Sequence, residues 1–291
     1  PEQSGKGFWR RLVGPFLNLG LLLALLLPFF VPLGWEGEAR ASTPTLAFHA
    51  AIESLAPGSA VLVSFDWDAA ALGEMEPLSK AVLSHLLQKQ ARVISVSLVP
   101  QGPSFGQRVF DQLSGERYRY GEDFVNLGYL AGNESALVTV AGEFASAIPR
   151  DYLGQPSSSY NLLKRAPSIR EVALVVVIAA DEGRAVQWIQ QVQTRYGVPM
   201  LGVTSMSAAP SLAPYYSGSK PQLAGYIAGT LGASEYASLL SQRPRYLEVG
   251  SAALSTASVF IIGVVVVGNL AWIARRITAR MAGRRWTSPL L

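Results

Sequence analysis

EVALVVVIAADE, residues 171–182, decides the fold. Between Val172 and Ala180 every residue is apolar, most of them Val or Ile, and the run then stops at the acidic pair Asp181-Glu182. It is far short of the roughly 20 residues that cross a bilayer as a helix. It also lacks the polar alternation of a strand with one wet face, so it reads as a strand covered on both sides. DEGRAVQWIQQVQTRYG (181–197) follows, with Val186, Ile189, Val192 and Tyr196 at helical spacing and Gly197 as the stop. VPMLGVTS (198–205) is the next strand.

The same alternation runs upstream. AVLVSFD (60–66) is a strand, and EMEPLSKAVLSHLLQKQ (74–90) a helix through Leu78, Val82 and Leu86. RVISVSLVP (92–100) is a strand and SFGQRVFDQLSG (104–115) a helix. QLAGYIAGTLGASEYASLL (222–240) reads as one more helix. In the less regular middle, FVNLGYLAGNESALVTVAGEF (124–144) reads as a helical turn followed by a strand at 136–141, and residues 146–161 as a surface loop. Strands alternating with helices imply parallel strands joined by crossovers. The expectation is one Rossmann-like α/β domain over 60–249, with four to six strands and a mostly parallel sheet.

Two long uncharged stretches flank that domain, at 12–35 and 250–274. Each is long enough for a transmembrane helix, with Pro15, Pro28 and Pro32 bending the first. The first also fits a secretory signal, with Ala39-Arg40-Ala41 as its cleavage site; it is read here as a retained anchor. Residues 1–11 and the basic tail 275–291 are expected on the cytoplasmic side, because Arg10, Arg11, Arg275, Arg276, Arg280, Arg284 and Arg285 gather there. Residues 36–59 become a juxtamembrane connector with one short helix. The implied location is the inner membrane of a bacterial cell, two-pass, with the main domain extracytoplasmic. Those arginines suit anionic lipid headgroups better than nucleic acid.

Composition supports this. Of 291 residues 49% are hydrophobic and only 15% charged, against roughly 25% in a soluble domain. Cysteine is absent, which excludes disulfides and thiolate metal sites. His85 falls on the core side of its helix, and His49 in the connector has no evident ligand partner. Small residues repeat at four-residue spacing at the start of the second span, including Ser251 with Ser255 and Ala253 with Ala257. Such faces admit a neighbouring helix, and Asn18 and Asn269 are polar groups that seek partners at bilayer depth. Other membrane subunits, or further copies of the chain, are the expected partners.

Chemistry, if present, belongs just beyond the carboxyl ends of the strands. AVLVSFDWD (60–68), an apolar strand ending in D-x-D, resembles the first motif of haloacid-dehalogenase-type phosphotransferases. That resemblance implies Asp66 as nucleophile, Asp68 as acid/base, Asp181 and Glu182 as a later acidic pair, Ser95 or Ser97 with Lys164 as accessories, and magnesium as cofactor. Ala70 stands where that family usually carries Thr or Val. The competing expectation is that these carboxylates, Asp66 and Asp68 as well as Asp181, cap helices. YGVPMLGVTS (196–205) resembles strand endings of periplasmic sugar-binding proteins, which implies a ligand-binding sensor with Trp67, Tyr215 and Tyr216 stacking on a ligand. GxGxxG, P-loop, G-x-S-x-G and H-E-x-x-H patterns are missing. The leading expectation is a membrane-anchored, non-catalytic subunit with no cofactor, whose α/β domain binds other proteins.

Overall fold

The computed structural model describes residues 15, 17–26, 41–115, 118–240 and 245–284. Residues 38–247 form one compact unit, and the two terminal segments form another.

Six strands make one wholly parallel sheet: β1 (Ala60–Asp66), β2 (Arg92–Ser97), β3 (Phe124–Tyr129), β4 (Leu174–Ala179), β5 (Met200–Thr204) and β6 (Gly225–Ala228). Their order is β3-β2-β1-β4-β5-β6, the doubly wound, Rossmann-like arrangement with its switch point between β1 and β4. Val61 pairs with Val93 on one side and Leu174 on the other. Successive side chains point to opposite faces. Val61, Val63 and Phe65 therefore enter one core layer with Val176 and Ile178, while Leu62 enters the other with Val175 and Val177. Both layers are buried, which is why β4 reads as an unbroken apolar run and β1 as one interrupted by Ser64 before Asp66.

Helices α2 (Thr43–Glu53), α3 (Leu72–Gln88), α4 (Gly102–Ser114) and α11 (Gly229–Leu239) supply the first layer through Phe48, Met75, Leu78, Phe110 and Tyr236. The second is covered by α5 (Asn133–Gly142), α6 (Phe144–Ala147), α7 (Asn161–Arg165), α8 (Glu182–Trp188) and α10 (Ala209–Ser217), with Trp188 at its centre. Helix α8 continues through a π turn, Ile189–Gln193, into α9 (Thr194–Tyr196) and ends at Gly197 with a left-handed backbone, φ 67°.

Three expectations require correction. Residues 225–228, read as helix, are β6; a Cβ on Gly225 would lie 2.4 Å from the Phe48 backbone nitrogen, so only glycine admits α2 against this strand. The middle segment is strand then helix, β3 followed by α5, the reverse of the expected order. Residues 43–53 hold the one short helix expected in the connector, but that helix belongs to the domain: α2 buries Thr45, Phe48 and Ile52 in its core.

In the terminal unit, α12 (Arg245–Arg284) is one 40-residue helix. Its segment Thr256–Ala274 is the one stretch among the described residues long and apolar enough to cross a membrane. The first expected span is represented by α1 (Leu17–Leu26), a shorter apolar helix; apart from Pro15, the rest of 12–35 lies outside the described residues, so two transmembrane helices are not established. A Cβ on Gly20 of α1 would meet the Phe260 ring of α12 at 2.6 Å, so the two helices touch there. Asn18 is exposed on α1, and Asn269 donates to the Val265 carbonyl one turn earlier at 2.8 Å. Ala257 is buried. Arg10, Arg11 and Arg285, with the side chains of Ser251, Ala253, Ser255, Arg275, Arg276, Arg280 and Arg284, lie outside what is described.

Candidate functional site

Asp66 is the last residue of β1 and shares a face with Leu62 and Ser64. That face is covered by α8, so the carboxylate turns into the core instead of the crevice. It is fully buried. Its Oδ1 accepts the Leu98 backbone N–H at 2.5 Å, and its Oδ2 accepts the Trp188 indole N–H at 2.7 Å. Burial pushes its pKa above the ordinary carboxylate range, and the N–H donors oppose that rise.

The surrounding loops are latched by further bonds. Ser97 donates to the Phe65 carbonyl at 2.7 Å and accepts the Val99 N–H at 2.9 Å. Arg184 reaches from α8 to the Leu98 carbonyl at 2.6 Å while its Nε donates to Asp181 at 3.1 Å. Gln101 accepts the Ala69 N–H at 3.1 Å, and Glu74 accepts the Met206 N–H at 2.8 Å. Together these bonds join the loops after β1, β2, β4 and β5.

The acidic residues singled out from sequence have separate duties here. Asp68 accepts the Ala70 N–H at 3.0 Å at the start of a short 3-10 turn. Asp181 caps α8 by accepting the Arg184 N–H at 3.0 Å. Glu182 accepts from the Ser211 hydroxyl. Asp66, Asp68, Asp181 and Glu182 do not form a metal-ligand group among the described residues. Ser95 is buried with its hydroxyl toward the Val125 carbonyl, and Lys164 donates to the Ser159 carbonyl at 3.1 Å. Trp67 is buried flat against Phe105, ring centroids 4.4 Å apart, and its indole N–H has no partner. Tyr216 meets Tyr226 edge-on, and both Tyr215 and Tyr216 pack against the second core layer.

The two buried indoles give a controlled comparison. Trp188→Phe removes a donor from a buried carboxylate, whereas Trp67→Phe removes an N–H that bonds to nothing. A hydrogen bond to a charged group contributes about 1.5–3 kcal/mol net. Trp188→Phe should therefore cost about 2 kcal/mol more than Trp67→Phe in denaturant unfolding of the solubilised chain; equal losses would contradict the Asp66 assignment.

A second constellation lies on the other face, on α2 and the last turn of α3. His85 is buried. Its Nε2 lies 2.9 Å from Glu53 Oε1 and its Nδ1 2.6 Å from the Tyr236 hydroxyl. An ionised Glu53 only accepts, so Nε2 carries the proton and Nδ1 accepts from Tyr236. Burial holds the His85 pKa below its ordinary value. Hydrogen bonds from His85 and Lys89 lower that of Glu53, and burial raises that of Tyr236. Lys89 sits 3.0 Å from Glu53 Oε2. The His49 ring stacks on His85 at 4.8 Å, and its Nε2 is 3.9 Å from Glu53 Oε1. The sequence reading passed over this cluster, although HAAIE (49–53) places His49 and Glu53 one turn apart on α2.

No family model, no curated protein and no solved structure matches the chain.

Proposed function

We propose that the chain is a membrane-anchored, non-catalytic subunit whose α/β domain engages other proteins. The observation that carries this reading is the latched carboxyl edge: Asp66 is fully buried on Leu98 and Trp188, and Arg184 ties the loop after β4 to the loop after β2. Asp66 is thereby withdrawn from the place where Rossmann-like sheets receive ligands, and the loops around it are tied to one another, which favours binding through the domain's outer surface.

Anchoring is supported by α12. At 1.5 Å per residue, Thr256–Ala274 is about 28 Å long, near the 30 Å hydrocarbon thickness. Val259, Ile262, Val267 and Leu270 are all more than half exposed, so this helix presents a largely apolar surface. The contact at Gly20 supports α1 as its membrane companion. The arginine-rich flanks favour cytoplasmic termini with the domain on the other side, and Asn18, exposed on α1, offers a polar helix-packing site to neighbours. The test is capture of the full chain from its own membrane in mild detergent. Partner chains at a fixed ratio, retained after high salt, are expected; recovery of the chain alone speaks against the reading.

A further inference from the structure

We propose that His49, Glu53 and His85 form a binding site for a divalent transition metal with the ligand preference of zinc. The three come from two helices, α2 and α3, fixed against the same core layer. Their ligating atoms all lie within 4.8 Å of one another, with separations of 2.9 Å from Glu53 Oε1 to His85 Nε2 and 3.9 Å to His49 Nε2. Zinc bonds of about 2.0–2.1 Å in a tetrahedron put ligand atoms about 3.3 Å apart, between these two observed distances. Two imidazoles and one carboxylate are a donor set that suits zinc and leaves a fourth position for water.

The surroundings fit that use. Burial fixes the His85 ring, and Tyr236, itself fully buried, stands at its Nδ1. On metal binding His85 takes the other tautomer, so that Nε2 ligates and Nδ1–H points at the Tyr236 oxygen, the outer partner that metal-bound histidines usually have. Packing alone does not call for His49: His85 already has both nitrogens paired, yet a second imidazole stacks beside it with its nitrogen toward the same carboxylate. The half-exposed Glu53 side chain leaves an entry path from solvent. Lys89 opposes the ion, since its ammonium holds the other oxygen of Glu53.

This is tested on the full, tag-free chain in mild detergent, stripped with a chelator and titrated with Zn2+ against a competing dye, then with Co2+. One Zn2+ per chain is expected, together with the intense visible bands of four-coordinate Co2+. His49→Gln, at a partly exposed position, should keep the melting temperature of the stripped protein, and both it and Glu53→Gln should lower Zn2+ affinity at least tenfold. Tyr236→Phe should lower it about tenfold, the lower end for loss of an outer partner, and Lys89→Gln should raise it severalfold. The proposal is overturned if the chain takes up no stoichiometric Zn2+, or if His49→Gln and Glu53→Gln bind it as the parent does.

Discussion

Asp66→Ala is expected to remove about 3–5 kcal/mol from the stability of the α/β domain. The substitution leaves two buried donors, the Leu98 N–H and the Trp188 indole N–H, with no acceptor. Each such loss costs about 1–3 kcal/mol, and the vacated side-chain volume adds a cavity term. Natural domains hold only about 5–15 kcal/mol in total, so the variant should melt far lower and be cut rapidly by protease. Asp66→Asn should lose less, because its carbonyl keeps one donor while its amide faces the other. A phosphotransferase nucleophile behaves differently: its removal abolishes activity and leaves the fold stable. Denaturant unfolding of the two variants separates these roles, and an Asp66→Ala protein as stable as the parent would remove the structural assignment.

Gly225→Ala is the second large effect, expected at about 3 kcal/mol. The new methyl would lie 2.4 Å from the Phe48 nitrogen, 2.6 Å from its Cα and 2.9 Å from the Pro44 carbonyl oxygen. These are backbone atoms, so no rotamer change relieves the overlap, and overpacking of this kind costs about 1–3 kcal/mol or somewhat more. Helix α2 must move off β6. The readouts are a lowered unfolding midpoint and new proteolytic cleavage in the segment between α2 and β1. Gly73→Ala is the control: nothing lies within 4 Å of its Cβ position in α3, and a helical Gly→Ala exchange should gain about 0.5 kcal/mol. A Gly225→Ala chain as stable as this control would show that α2 does not rest on β6.

Much of the fold was legible because β1, β2, β4 and β5 are buried on both faces and so are apolar-rich segments, β4 an unbroken one. β6 is four residues long, begins at a glycine and alternates buried with half-buried positions. Its pattern merged with the helix that follows. β3 and α5 were exchanged because LGYLAGN mixes strand and turn residues, while α5 carries the β-branched Val138, Thr139 and Val140 that favour strands. The latch was not legible: Trp188 is 122 residues from Asp66, and nothing local marks them as partners. The His49–Glu53 pair was readable from its spacing; its third member arrives from another helix and is placed only by the packing of α2 on β6 and α11.

The central claim is that this domain works as an anchored subunit through its surface and not through a reaction at the carboxyl edge. Its most direct measurement is the native mass of the chain solubilised gently from its own membrane, with every co-migrating chain identified. The account predicts a discrete assembly much heavier than 31.2 kDa plus detergent, with partners or further copies at fixed stoichiometry. A lone chain of about that mass, unaccompanied across mild detergents, would contradict it.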